Sequence, residues 1–139
     1  MAGQMKRKLP VPMLIPIVLC AILILQGCHS QPKVIPADLS AAETFQRAQD
    51  ASERGDYALA IRYYTSFRDN HPDNSDRDVW ALYEIAFNYH KMGKNAMAVT
   101  LLDQLLRQYQ TDNGTLPPAP RILAQKIRDR LSQMVVKTK

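Results

Sequence analysis

The chain has 139 residues, of which 18 are Lys or Arg and 13 are Asp or Glu, giving a formal net charge of +5. Three of the cations lie together at residues 6–8, and residues 28–139 hold 15 basic and 13 acidic side chains. That small surplus gives no electrostatic reason to expect a nucleic-acid partner. Cysteine occurs only as Cys20 and Cys28, so the chain beyond Cys28 has no disulfide of its own and no cysteine-ligated metal site.

Residues 1–27 predict a secretory signal peptide. The basic residues 6–8 precede an apolar run over residues 9–25, and a small residue, Gly27, follows the run. With cysteine next in the chain, Leu25-Gln26-Gly27-Cys28 resembles the lipobox of bacterial lipoproteins. The resemblance implies cleavage before Cys28, diacylglycerol on its thiol, and fatty acylation of the new amino terminus, for example with palmitate.

An uncleaved membrane anchor is the alternative for this segment. The apolar run is interrupted by Pro10, Pro12 and Pro16 and is shorter than the roughly 20 residues that a spanning helix needs. We therefore expect a lipid-anchored protein of the cell envelope. His29 stands where an aspartate retains many lipoproteins at the inner membrane, so the same resemblance implies the periplasmic face of the outer membrane.

Residues 28–39 predict an extended tether between the lipid and a folded domain. The segment is short and polar, and Pro32 and Pro36 interrupt it. The 112 residues from Cys28 onward suffice for one domain with a modest core.

Beyond residue 40 the apolar residues recur at spacings of three and four, which predicts amphipathic helices. The predicted N-cap residues of these helices are Ser40 (in a capping box with Glu43), Asp56, Ser75 and Asn95. The predicted helix ends lie at Gly55, His71-Pro72 and Gly93. Residues 113–120 predict a proline-rich turn, and residues 121–135 a fifth, capping helix. No window alternates with period two for long enough to be a strand, so the sequence predicts an all-α chain.

The two halves of residues 40–112 repeat each other. An offset of 38 residues aligns Gly55 with Gly93. The same offset aligns small residues with each other, namely Ala48 with Ala86 and Ala60 with Ala98. Together with Tyr57, Tyr64 and Pro72 in the first half, and Leu82 and Tyr89 in the second, this pattern resembles the tetratricopeptide repeat. The resemblance implies a helix–turn–helix solenoid of two repeats, about 41–74 and 79–112, closed by the fifth helix.

The run Ala60-Ile61-x-x-Tyr64-x-x-Phe67 followed by Ala86-x-x-Tyr89 is also similar to small repeat-containing envelope lipoproteins. Examples are the repeat lipoprotein of the β-barrel assembly machinery, pilotins, and the repeat domain of the coordinator associated with the Tol–Pal system. This likeness implies a scaffold that binds another envelope protein or peptide.

The third helix carries a second apolar stripe that a two-layer arrangement does not require. Trp80, Tyr83, Phe87 and His90 follow at i, i+3, i+7 and i+10. In the resembled family the first helices of successive repeats line a groove that takes peptides. By that resemblance the groove residues of the second repeat are Trp80, Tyr83, Phe87, His90 and Lys91. The corresponding positions of the first repeat are Phe45, Gln49, Ser52 and Glu53. The alternative is that this stripe is packing between repeats.

Enzymatic signals are absent from the sequence. His29, His71 and His90 stand far apart, without a partner at metal-ligand spacing, and there is no glycine-rich phosphate loop. We therefore expect no catalysis, no metal and no cofactor. Two further functions stay open: an accessory or carrier subunit that binds a small ligand or a transporter component, and a structural homo-oligomer, since repeat arrays generally need about three units for stability.

The charge is uneven along the chain. Residues 28–118 hold nine basic and twelve acidic side chains, whereas residues 119–139 hold six basic side chains and one acid, Asp129. This tail could face an acidic partner or an anionic lipid surface, and a solvated helix face explains it as well.

Overall fold

The computed structural model describes residues 34–36 and 38–137 of the chain. The predicted signal peptide, the lipidation site Cys28 and most of the tether lie outside these residues. Five helices follow one another: α1 (Ala41–Glu53), α2 (Tyr57–Asn70), α3 (Ser75–Lys91), α4 (Asn95–Thr111) and α5 (Pro118–Lys137). The described part of the chain contains no strand, and the predicted all-α helical solenoid is confirmed.

The first repeat begins and turns as its sequence signals predict. The Ser40 hydroxyl accepts from the Glu43 backbone N–H at 3.3 Å, and the Glu43 carboxylate accepts from the Ser40 N–H at 3.1 Å. The Ser40 hydroxyl also donates to the Glu43 carboxylate at 2.7 Å. This bond and the one from the Ser40 N–H lower the pKa of Glu43. Asp56 caps α2 by accepting from the Leu59 N–H at 3.2 Å. Gly55 takes the positive φ of 79° that the helix end requires.

Two predicted caps are wrong. At α3 the cap is Asn74, whose side chain accepts from the Arg77 N–H at 3.3 Å, and Ser75 is the first helical residue. At α4 the cap position falls on Lys94, because the turn after Gly93 ties the Lys94 N–H to the Tyr89 carbonyl at 2.9 Å. Asn95 therefore lies inside the helix and cannot cap it.

The last helix is longer than predicted at both ends. It begins at Pro118, inside the predicted turn 113–120, and ends at Lys137. Proline is accepted in the first turn of a helix because the N–H it lacks would be unpaired there. Asp112 stabilises the loop that precedes α5. Its carboxylate accepts from the Thr115 hydroxyl and from the backbone N–H groups of Thr115, Gly114 and Leu116, and these bonds lower the pKa of Asp112.

Two clusters of buried side chains form the core, and α3 contributes to both. The first cluster contains Ala48, Ala51, Ala60, Tyr63, Tyr64, Phe67, Ala81 and Ile85. The second contains Leu82, Tyr83, Ala86, Ala98, Leu102, Leu105, Ala124 and Leu131. The four aligned alanines of the repeat are all fully buried, which agrees with close helix crossings at those positions.

Polar contacts join the two repeats across the interface of α3 with α1 and α2. The fully buried Asn88 accepts from the Ser52 hydroxyl at 2.9 Å and donates to the Glu84 carbonyl at 2.8 Å. Arg68 of α2 forms a two-point ion pair with Asp78 of α3, at 2.6 and 3.2 Å. The repeats are thus held in register by specific bonds as well as by apolar packing.

The first core cluster extends beyond the start of α1. Ile35 and Leu39, which the sequence places in the tether, pack against it. Val34 is 84% exposed and makes no comparable packing. The end of the predicted tether is therefore part of the folded unit.

Candidate functional site

The aromatic stripe, defined as Trp80, Tyr83, Phe87, His90 and Lys91, runs along α3. Its rings contact one another in sequence: the Trp80 and Tyr83 centroids lie 6.1 Å apart, edge to face, and those of Tyr83 and Phe87 lie 6.1 Å apart and stacked. The Lys91 ammonium lies 6.0 Å from the Phe87 ring centroid. Such a row of rings ending at a cation offers rigid contact area together with one charged group.

The stripe is not evenly exposed. Tyr83 is only 8% exposed and belongs to the second core cluster together with Ala124 and Leu131 of α5. Burial, with the Glu84 carboxylate nearby, raises the pKa of Tyr83 to about 12. Trp80 and Phe87 are half-buried and pack against the same cluster. The aromatic rings that remain partly accessible are therefore those of Trp80 and Phe87, called the outer rings, and both contact the buried Tyr83.

His90 and Lys91 differ in how freely they can meet a partner. His90 Nδ1 lies 2.9 Å from Asn95 Oδ1, which holds the half-buried imidazole against the start of α4. Lys91 is exposed. Asn95 thus positions a stripe residue, a role that the cap prediction did not foresee.

Phe45 occupies the matching place in the first repeat. Its ring meets Phe67 and Tyr64 edge to face, with centroids 4.6 and 5.3 Å away, and the Arg77 guanidinium lies 5.8 Å from its centroid. The side chain is half-buried. Phe45 is thus packed onto its own repeat and is not among the ring contacts of the stripe.

Two polar residues of α3 were missed as contributors to this region. Burial raises the pKa of Glu84. Burial also raises the pKa of Tyr64 and Tyr83, and the nearby Glu84 charge adds to both shifts. Asn88, one turn further on, bonds to Ser52 of α1. The sequence signal was available, because Glu84 and Asn88 are spaced four apart within an otherwise apolar helix face.

The stripe offers aromatic and cationic contacts. Among the described residues, no three His, Cys, Asp or Glu side chains are placed to hold a metal ion. Two surface depressions lie away from the stripe, one at residues 70–76 between α2 and α3 and one between Ile35 and α2. Within the same residues, no helix is long and apolar enough to cross a bilayer.

Comparison with known proteins identifies the repeats. The family model of the tetratricopeptide repeat matches residues 39–74 and 80–111, so the prediction of two such repeats is confirmed. An uncharacterized protein of Treponema pallidum (strain Nichols) is 28% identical over 104 residues. The match covers 73% of this chain and 42% of that relative, so the chain spans less than half of the relative's length. No solved structure matches significantly.

Tetratricopeptide repeats are modules for binding other proteins, and their presence suggests a protein-interaction scaffold. The aromatic stripe lies on the first helix of the second repeat, and Phe45 on the first helix of the first repeat.

Proposed function

We propose that this chain is a lipid-anchored, non-catalytic scaffold whose repeats bind another protein of the cell envelope. The observation that carries the binding part is the pair of half-buried rings, Trp80 and Phe87, which contact a buried Tyr83 and end at the exposed Lys91. Partly exposed aromatic side chains on a rigid support lose little conformational entropy on binding and bury large areas.

Lipid anchoring is proposed from the sequence alone. Leu25-Gln26-Gly27-Cys28 supports acylation of Cys28, and His29 supports delivery to the periplasmic face of the outer membrane. Two or three acyl chains would hold the protein firmly, where one chain gives only marginal binding.

Site-directed photocrosslinking in intact cells tests the binding part. A photoreactive phenylalanine analogue replaces Phe87, and a control carries it at Met97, which is 49% exposed on α4. We expect a discrete covalent adduct with one envelope protein from position 87 and none of that size from position 97. Equal adducts from both positions, or none from position 87, would contradict a partner on the stripe.

Metabolic labelling tests the anchor. Cells are fed a fatty-acid analogue that can be detected after protein purification. We expect label on the wild-type chain and none on Cys28→Ser, since Cys28 is the proposed acceptor and no other cysteine follows it. Label that persists in the Cys28→Ser variant would refute the assignment of Cys28.

A further inference from the structure

Four of the five cations of α5, all except Lys137, fall into two groups. The Arg121 guanidinium lies 5.8 Å from the Tyr109 ring centroid of α4, and Arg128 approaches Asp103 of α4 at 3.6 Å and Asp129 at 3.0 Å. Lys126 and Arg130 are exposed, and within the described residues neither forms an ion pair. The single acid of α5, Asp129, is therefore engaged by Arg128, while these two cations are left uncompensated.

Helical geometry places the uncompensated cations on one strip. Ile122, Lys126 and Arg130 are spaced by four and so share a face, which we call the α5 flank. At 3.6 residues per turn this strip lies roughly 150° around the helix from Arg121 and Arg128. The residues that face α4 are thus on one side, and the α5 flank is on the other.

The α5 flank is also apolar in part. Ile122 is 57% exposed, and it is one of four large hydrophobic side chains that are exposed among the described residues. The solvent-facing side of a helix is normally polar. An exposed isoleucine one turn from a lysine is a departure from that pattern.

On the surface of α5 the flank adjoins Leu123 and Ile127, the residues through which the helix packs on the core beneath the aromatic stripe. Leu123 and Ile127 of α5 pack against the same core cluster as Trp80 and Phe87 of α3. Next to these rings α3 exposes Lys91, close to Phe87. Of the three acids on α3, Asp78 is paired with Arg68 of α2. The half-buried Glu84 acts through its charge on both Tyr64 and Tyr83, and the exposed Asp76 acts on Tyr109 of α4.

We infer that the α5 flank extends the binding surface of the aromatic stripe and selects an acidic peptide segment that carries apolar side chains. Lys91, Lys126 and Arg130 supply positive charge, and Ile122 with the outer rings supplies apolar contact. Complementary charge of this kind guides association and excludes partners of the wrong sign. The inference rests on the proposed function, because it names the class of partner for the same surface.

A selection from random peptides tests it. The full-length chain, reconstituted in nanodiscs of phosphatidylcholine, is panned against a phage library of random peptides. Enriched peptides are synthesised, and their binding is followed by Trp80 emission, which is specific because the chain has a single tryptophan. The test variant is Lys126→Glu/Arg130→Glu. The control, Arg47→Glu/Arg107→Glu, makes the same charge change at exposed positions of α1 and α4.

We expect enriched peptides to be acidic with apolar residues and to bind more weakly as salt increases. The test variant should lose about tenfold in affinity or more, while the control stays within about twofold. Enriched peptides that are neutral or basic and bind the test variant normally would overturn the acidic-partner inference and leave peptide binding intact. If no peptide is enriched, the proposed function fails as well.

A lipid contact is the competing outcome. The same chain is placed in nanodiscs that contain phosphatidylglycerol. The inference is overturned by three results together: Trp80 emission shifts in these nanodiscs, the shift is lost in Lys126→Glu/Arg130→Glu, and no acidic peptide binds. In that case the α5 flank contacts anionic lipid.

Discussion

The two repeats place an aromatic ring at the same position of their first helix, and the surroundings of the two rings differ. Phe45 in α1 is half-buried and has the Arg77 guanidinium beside it. Tyr83 in α3 lies 38 residues later, where α5 contributes Ala124 and Leu131 to the cluster around it, and is 8% exposed. The position of a residue in the repeat therefore does not by itself identify a binding residue. Whether the ring is buried or partly exposed depends on which helix packs next to it.

The strongest test of this contrast is truncation of each ring. Tyr83→Ala should lower the free energy of unfolding by about 3–5 kcal/mol, since a buried ring is lost and a cavity remains. Phe45→Ala should cost clearly less, because its ring is already partly solvated. Urea denaturation followed by circular dichroism gives both values. An equal or larger loss for Phe45→Ala would remove the distinction between the two positions.

The two repeats should respond alike where their packing is alike. Ala60→Leu and Ala98→Leu insert methylene groups at fully buried positions and should each destabilise by about 1–3 kcal/mol. Ala58→Leu and Ala96→Leu are matched controls on the same two helices at exposed positions, with changes within about 0.5 kcal/mol. Thermal melts of the four variants decide. Tolerance of leucine at Ala98 but not at Ala60 would show that the repeats are not equivalent.

The bond between the repeats is open to a double-mutant cycle. Ser52→Ala removes the hydroxyl that donates to the buried Asn88, and Asn88→Leu removes the acceptor. We expect a coupling energy of about 1 kcal/mol between the two sites, the usual net contribution of one hydrogen bond. Strictly additive effects of the two substitutions would mean that this bond does not fix the register of the repeats.

The smallest expected effect is on pH dependence, where two acids act with opposite sign. The pKa of Glu84 is raised above 4.5, so its contribution to stability is fully present below pH 4.5 and is lost as pH rises through the folded-state value. The pKa of Glu43 is lowered, so its contribution is present above pH 4.5 and is lost as pH falls through the folded-state value.

The free energy of unfolding of Glu84→Gln, Glu43→Gln and the wild type, measured at pH values below and above 4.5, gives the pH dependence of stability due to each carboxyl group. As pH rises, Glu84→Gln should gain stability relative to the wild type, and Glu43→Gln should lose it. Parallel behaviour of the two variants would contradict the opposite environments of the two carboxyl groups.

Local signals predicted the helices well where one residue alone could take the cap. Ser40 and Asp56 are examples, and both caps are present. At α3 two good capping residues are adjacent, and the His71 carbonyl, which accepts from the Asn74 N–H at 3.1 Å, selects the first of them. At α4 the repeat alignment would have given the correct cap position, because the 38-residue offset aligns the cap residue Asp56 with Lys94 and not with Asn95.

The candidate site was predictable only as a pattern. The spacing of Trp80, Tyr83 and Phe87 identified a second stripe on α3. Which of those rings stays accessible depends on where α5 packs. The spacing of apolar residues within α3 or within α5 does not show which residues of the two helices contact each other. The same limit applies to Asn88, whose partner Ser52 lies 36 residues earlier.

If Cys28 carries the proposed lipid, the packing of Ile35 and Leu39 onto the first core cluster would limit the distance between the repeats and the bilayer. Ile35 is seven residue steps along the chain from Cys28, with six residues between them. A fully extended chain spans at most about 3.6 Å per residue, so this leash is no longer than about 25 Å. The first repeat would then work within one protein diameter of the lipid headgroups, and any partner must reach the membrane surface to meet it.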